Sequence, residues 1–152
     1  MVNITNTTQL SIFSLVRAAL LANSTLSVKF TNSHIHQFEP KHKSSAFTGF
    51  PYILVNIPEL DQEKVVFDNN LTLKEVNVSL ILRMDYFARD KYLSFANAIV
   101  KSIEDYESTF ESSGYYDVMI ELLGTDSNIV IESKELVEGT FELRYHGQVS
   151  RG

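Results

Sequence analysis

The feature that most constrains the fold of this chain is a succession of strand, helix and strand between Leu73 and Leu122. Between Lys74 and Tyr86, large apolar residues take every second position, and the positions between them are mostly polar. This period of two predicts a strand with one buried face, because successive side chains of a strand point to opposite sides. The predicted buried positions are Val76, Val78, Leu80, Leu82 and Met84.

The pattern then changes to the period of a helix. Apolar residues recur every three or four positions from Tyr92 to Phe110, which predicts one long amphipathic helix over about 90–113. Asp90 is the expected N-cap and Gly114 the expected residue just past the C-terminus. A further strand is predicted from Tyr115 to Leu122.

The part of the chain before this unit is less regular. A wide apolar face predicts an N-terminal helix over about 8–22, and Leu26 to Phe30 is expected to be a strand or an extended arm. Residues 31–48 are mostly polar and are expected to form a long loop, which in a compact domain usually contacts something. Phe50 to Ile57 is rich in strand-forming residues and predicts another strand.

The part after this unit predicts a β-hairpin and a tail. Gly124 to Ser127 is expected to be the turn, followed by short strands at Asn128–Ile131 and Thr140–His146. Gln148 to Gly152 should be a short flexible tail. The prediction is therefore an α+β fold in a single domain over 1–152: a mixed or antiparallel sheet packed by the helix at about 90–113 and the N-terminal helix.

Composition excludes several classes of protein. The chain has 152 residues and no cysteine, so disulfides and thiol chemistry are excluded. Its net charge of −6 argues against a surface that grips nucleic-acid phosphates, since such a surface needs clustered Lys and Arg. The most apolar run, Leu10 to Ala22, contains Arg17 and is shorter than the roughly 20 residues that span a bilayer.

Three histidines in the polar loop are the most tempting chemical feature. His34 and His36 lie two apart, so on an extended segment both would project to one side, and His42 follows closely. Imidazoles in this arrangement could hold Zn²⁺ or Ni²⁺. Solvated loop histidines are far commoner, and no further ligand has the spacing of a metal motif, so the prediction is that no metal binds.

Other catalytic patterns are lacking in the sequence. The carboxylates Glu132, Glu135, Glu138 and Glu142 are expected to form a solvated face rather than an acid/base pair. No nucleophile elbow, phosphate-binding glycine loop or H-E-x-x-H motif is present. We therefore expect neither an enzyme nor a cofactor.

Aromatic residues suggest contact surfaces instead. Phe47, Phe50 and Tyr52 cluster just after the polar loop, and aromatics are enriched in protein interfaces. They could equally form the core side of a strand. Tyr115 and Tyr116 are neighbours at the start of a predicted strand, so their side chains point to opposite faces of the sheet. One of them must therefore face away from the core or be covered by another chain.

The order of the elements carries a resemblance. A Gly49-Phe50-Pro51-Tyr52-Ile53 run opens one strand; a long alternating strand, the helix from Asp90 to Ser113, a strand with Tyr116-Asp117-Val118 and a closing hairpin follow. This order resembles the tail terminator proteins of long-tailed bacteriophages, also called tail-completion or head-tail joining proteins. The resemblance spans nearly the whole chain.

The resemblance implies a structural virion protein of the tail or neck, assembled in the host cytoplasm. Copies would form a ring, usually of six, on the head-proximal end of the tail tube. There the ring would stop polymerisation of the tail tube protein and face the head-tail connector or stopper protein. DNA would pass through the lumen without specific binding, and no membrane would be involved.

Two alternatives to this interpretation remain. The nearer one is another neck or tail protein, such as a head-tail stopper or a tube protein. The more distant one is a metal-binding protein that uses His34, His36 and His42. For an assembly role, the segments expected to contact other copies are 31–48, Leu60 to Asn70 and Asn128 to Glu138.

Overall fold

A computed structural model describes residues 4–57 and 72–149 and contains one mixed five-stranded sheet with helices. The α+β prediction is confirmed. The helices are α1 (Ile4–Leu21), α2 (Ser24–Ser27), α3 (Tyr92–Asp105) and α4 (Glu107–Ser112), and the strands are β1 (Ile35–His36), β2 (Tyr52–Asn56), β3 (Thr72–Asp85), β4 (Tyr115–Ile131) and β5 (Lys134–Val149).

The sheet is built around β3, which lies at its centre. The strand order is β1-β2-β3-β5-β4, with β1 parallel to β2 and every other pair antiparallel. β5 pairs with β3 along its whole length, from Leu136 opposite Asp85 to Val149 opposite Thr72. The short β1 and the long β4 are therefore the two edges.

One face of the sheet carries the main core. The register places Val78 beside Leu143, and Leu80 between Val55 and Phe141, so alternate residues of three strands share this face. All five predicted core positions of β3 are buried, which confirms the predicted buried face. Helical side chains complete the core against them: Ile12, Val16, Leu20, Phe95, Ile99, Ile103 and Phe110. Removing each such side chain from water contributes roughly 1.5–3 kcal/mol.

The helix predicted over 90–113 is interrupted. It consists of a 3-10 turn at Tyr86–Lys91, then α3, then α4 after a break at Tyr106, whose φ of −98° and ψ of 8° leave the helical region. The prediction of Asp90 as the N-cap is wrong, because Asp85 accepts a hydrogen bond from the Phe87 N–H at 3.0 Å and caps the segment earlier. Gly114 has φ +95°, as a residue past a helix end requires.

The N-terminal predictions need two corrections. α1 begins at Ile4, earlier than expected, and the strand or extended arm predicted at Leu26–Phe30 is wrong. Asn23 Oδ1 accepts hydrogen bonds from the backbone N–H groups of Thr25 (2.9 Å) and Leu26 (3.3 Å) and starts α2 there. Strong N-capping has overridden the strand-like alternation. The polar loop also holds a 3-10 turn at Asn32–His34 and the short β1.

The C-terminal hairpin turns later than predicted. Gly124–Ser127 is not the turn, because β4 runs through it to Ile131 with register shifts on either side. The actual turn is Glu132–Ser133, with φ values of 50° and 70°, and β5 extends over Gln148 and Val149, which were predicted to be tail. Residues 150–152 and the predicted contact segment Leu60–Asn70 lie outside the described residues.

Candidate interaction surfaces

Arg83 organises the sheet face opposite the helices. The register places it between Tyr52 of β2 and Glu138 of β5, so the three side chains emerge on the same side. Arg83 Nε donates to Glu138 Oε2 at 2.8 Å, and Arg83 Nη1 donates to Tyr52 Oη at 3.0 Å and to Glu39 Oε1. One guanidinium thus connects two strands and the polar loop.

The polar loop is held on the hairpin turn by His42. Its Nε2 lies 2.7 Å from Tyr52 Oη, and its backbone N–H donates to Glu132 Oε2 at 2.6 Å. The imidazole also stacks on Phe47, with 4.7 Å between centroids, and meets Phe50 edge-on. These contacts make the segment an ordered second layer over this face.

The electrostatics of this layer favour a permanent ion pair. Burial lowers the pKa of Arg83, but hydrogen bonds to Tyr52, Glu138 and Glu39 outweigh it and leave that pKa above its ordinary value. Burial raises the pKa of Tyr52 despite its bond to Arg83. Arg83 therefore stays charged and Tyr52 stays neutral, as a structural network requires.

The three candidate metal ligands are engaged in different ways. His34 Nδ1 lies 2.9 Å from Thr31 Oγ1, and His42 Nε2 is engaged with Tyr52 Oη. His36 also meets the Tyr52 ring edge-on, but among the described residues its Nε2 is buried without a hydrogen-bond partner. The pKa of His36 is lowered, first by burial and then by His34. Within the described ranges, no group of three or more His, Cys, Asp or Glu side chains could hold a metal ion.

The predicted solvated carboxylate face is confirmed for Glu132 and Glu135, which are exposed, and is wrong for Glu138, which is largely buried and pairs with Arg83. Glu132 also accepts a hydrogen bond from the His42 backbone, and half-buried Glu142 lies 3.5 Å from Arg144 Nε. Glu135 alone of the four has no such contact among the described residues. Glu132, Glu138 and Glu142 therefore hold neighbouring groups of the sheet face in place.

The predicted interface aromatics pack largely against other residues of the same chain. Tyr52 is 0% exposed and so offers no surface to another chain, while Phe47 and Phe50 are half-buried against His42. Tyr115 is buried edge-on against Tyr145 at 5.1 Å. Tyr116 lies half-exposed on the opposite face, so one tyrosine of the pair does face away from the core.

Several exposed apolar side chains lie on β4. Within the described part of the chain β4 pairs only with β5, so its other side is an exposed sheet edge. Met119 is 58% exposed, Leu123 57% and Val130 63%, and Leu122 is also exposed. Sequence reasoning missed these residues. The adjacent pair Leu122-Leu123 was a usable signal, since two neighbouring residues of a strand cannot both face one core.

The edge is not suited to a continuous β ladder with another chain. Register shifts occur between Tyr116 and Met119, Leu122 and Gly124, and Asp126 and Ile129. Bulges of this kind protect sheet edges from indiscriminate pairing. A partner would therefore dock mainly through side chains.

A groove and a cleft lie near the two ends of α3. The groove runs between the helices and β4 and is lined by Glu104, Glu107, Val118, Met119 and Ile120. The cleft lies near the first turn of α3, and its lining includes Lys29, Lys91, Phe50 and Asp85, the last paired with Lys134 Nζ at 2.7 Å. Among the described residues, the groove therefore carries unpaired acidic residues and the cleft unpaired basic ones.

Comparison with known proteins adds no assignment: no protein-family model matches the chain, and no curated protein matches it. Within the described residues, no helix is long and apolar enough to cross a membrane. Evidence on function therefore comes from the fold and from the surfaces described above.

Proposed function

We propose that this protein is a structural virion component that forms a ring at the head-proximal end of a phage tail tube. The ring ends tube polymerisation and joins the tail to the head connector or stopper protein. The observation that carries the proposal is the β4 edge, which among the described residues has no strand partner on one side and bears the exposed apolar side chains of Met119, Leu123 and Val130. The resemblance in element order supports it.

Ring formation requires a head-to-tail contact, in which two different surfaces of each copy meet. The described residues offer such surfaces: the β4 edge, the groove beside Glu104, and the polar loop fixed on the hairpin turn. No step of this role is catalytic, and none needs a metal or a cofactor.

The overall charge fits a DNA conduit. With a net charge of −6, a ring of these protomers repels DNA phosphates on average and leaves passing DNA unbound. The sequence also lacks the clustered cations that a DNA-gripping surface needs.

One observation favours a second candidate, a tail tube protein. Tube proteins usually carry a long β-hairpin arm, and β4 and β5 form a long hairpin with a two-residue turn. However, β5 pairs with β3 along its length, so the hairpin belongs to the sheet and is not a free arm. The terminator interpretation is therefore preferred over the tube interpretation.

The experiment is to mix the purified protein with the tail tube protein of the same genome while the tubes polymerise. We expect shorter tubes, each with a ring on one end in negative-stain images. Filaments formed by the protein alone would favour a tube protein. Free monomers that leave tube length unchanged would contradict the proposal.

A further inference from the structure

Charges of opposite sign lie near the two ends of α3. Arg89 and Lys91 belong to the last turn of the 3-10 segment before α3, with Asp90 between them. Glu104 lies in the last turn of α3, and Glu107 lies in the first turn of α4. Helix C-termini favour cations and helix N-termini favour anions, so Glu104 alone of these four charges is placed against a helix dipole.

These charges also lack ion-pair partners inside the protomer. Among the described residues, Lys29, Lys91, Glu104 and Glu107 make no salt bridge, and Arg89 donates only to the Tyr86 carbonyl, at 3.0 Å. Beside Glu104, Lys101 Nζ lies 3.3 Å from a carboxylate oxygen of Asp105, the last residue of α3. Unpaired charges of opposite sign therefore lie near the two ends of α3, and among the described residues Lys41, Lys43 and Glu135 are also without an ion pair.

Exposed apolar side chains accompany both charged ends. Phe87, which is 82% exposed, lies within the basic sequence that includes Arg89 and Lys91, and Lys29 lines the same cleft as Lys91. We call these four residues the basic end. Met119 lines the groove with Glu104 and Glu107, and these three residues are the acidic end. A protein interface combines apolar contact with complementary charge in this way.

We propose that the basic end of one copy docks on the acidic end of the next copy. α3 has 14 residues and spans about 21 Å at 1.5 Å per residue, so the two ends do not meet within one protomer. A contact between two different surfaces repeats from copy to copy and produces a ring when the rotation closes. This inference rests on the proposed function for the expectation that the assembly closes into a ring. It adds which two surfaces meet between neighbouring copies.

A second copy is the favoured partner because both complementary surfaces belong to the same chain. Each end offers exposed apolar area and unpaired charge of the sign that the other lacks. If a tube or connector protein covered one of these ends instead, that protein would have to supply the charge of opposite sign.

The test uses two charge-reversed variants. The first combines Lys29→Glu with Lys91→Glu, and the second combines Glu104→Lys with Glu107→Lys. Each alone should weaken self-association about tenfold or more in sedimentation equilibrium, because like charges then face each other. An equimolar mixture should recover the wild-type assembly with equal numbers of the two variants in alternation, as native mass spectrometry would detect.

Controls separate folding from association. Arg17→Glu on α1, a residue that lines neither the cleft nor the groove, changes the net charge in the same direction as the first variant and should leave association within about twofold of wild type. Both reversed variants should melt close to wild type, because Lys29, Lys91, Glu104 and Glu107 are all exposed and make no salt bridge among the described residues.

The outcomes distinguish the inference from the proposed function. Rings that persist in both variants, or a mixture that fails to recover, would overturn the inference and leave the ring intact. Intact self-association with lost tube binding would also overturn it and assign these ends to the tube. Wild-type protein that never associates would overturn both.

Discussion

At the scale of single residues, Arg83 determines the second face of the sheet. It is 9% exposed, and its three hydrogen-bond partners come from the polar loop, β2 and β5. Removing it would leave the largely buried Glu138 without its donor and the fully buried Tyr52 hydroxyl with His42 alone, which costs more than the net value of the bonds. This network, rather than a catalytic purpose, explains why a charged residue lies on the central strand.

Replacing Arg83 should therefore destabilise the protein strongly. We expect Arg83→Met to lower the free energy of unfolding by about 2–3 kcal/mol, below the full cost of breaking a buried pair because Glu39 is half-exposed. The control is Arg144→Met on the same sheet face, whose ion pairs are longer and more exposed and should cost under about 1 kcal/mol. Urea unfolding of both variants measures the difference, and equal costs would contradict this account.

His36 should make stability depend on pH. Burial lowers its pKa in the folded state, assisted by His34 and His42 and opposed by Glu39. The unfolded chain thus binds a proton first, near pH 6.5, so stability is lost as the pH falls from there through the lowered folded pKa. His36→Phe keeps a ring against Tyr52 and should flatten the unfolding free energy between about pH 7 and 5. An unchanged slope would contradict the assignment.

At the scale of the elements, the hairpin is fixed against the helix layer through Gly139. A Cβ added there would lie 2.3 Å from Tyr92 Oη, which is hydrogen-bonded to Thr125 Oγ1 at 2.7 Å. Glycine is required because β5 and the tyrosine ring approach so closely. The contact ties the start of α3 to β4 and β5.

Gly139→Ala should therefore displace the Tyr92 ring. We expect a loss of about 1–3 kcal/mol in the free energy of unfolding. Gly124→Ala is the matched control, since a Cβ there meets nothing within 4 Å, and it should change stability by under about 0.5 kcal/mol. In a Tyr92→Phe variant, Gly139→Ala should lower the free energy of unfolding by less, because the Tyr92 hydroxyl oxygen, the atom nearest to the added Cβ, is absent. Equal costs for the two glycines in thermal unfolding would contradict the packing argument.

The sequence predicts well those elements whose formation depends on residues that are close together along the chain. The buried face of β3 follows from its period of two, and the end of the helical segment follows from Gly114, whose φ is positive. The hairpin turn was misplaced because Gly124–Ser127 is a stronger local signal than Glu132–Ser133. Pairing with β5 extends β4 through that segment, with register shifts on either side, and only the tertiary structure reveals this.

The candidate surfaces were less predictable for the same reason. The Arg83 network joins residues 39, 83 and 138, which are far apart in sequence and leave no local pattern. The exposure of Met119 depends on β4 being an edge strand, which the strand order decides. The charges of opposite sign near the two ends of α3, in contrast, were readable from sequence once the helix ends were known.

At the scale of the whole molecule, assembly should respond to salt. The proposed contact brings unpaired cations near Lys91 against unpaired anions near Glu104, and exposed charge pairs are screened by salt. Raising NaCl from about 0.05 M to about 0.5 M should therefore weaken self-association, as measured by sedimentation equilibrium. Stronger association at high salt would contradict this prediction. It would indicate that apolar contacts dominate and that salt acts by screening the repulsion between negatively charged copies.

The central claim is that copies of this chain close into a ring that caps a tail tube. Electron microscopy of tubes polymerised with the protein present tests it most directly. The account predicts one ring of fixed copy number on one end of each tube, and no growth from that end. Bare tube ends beside free monomers would contradict it.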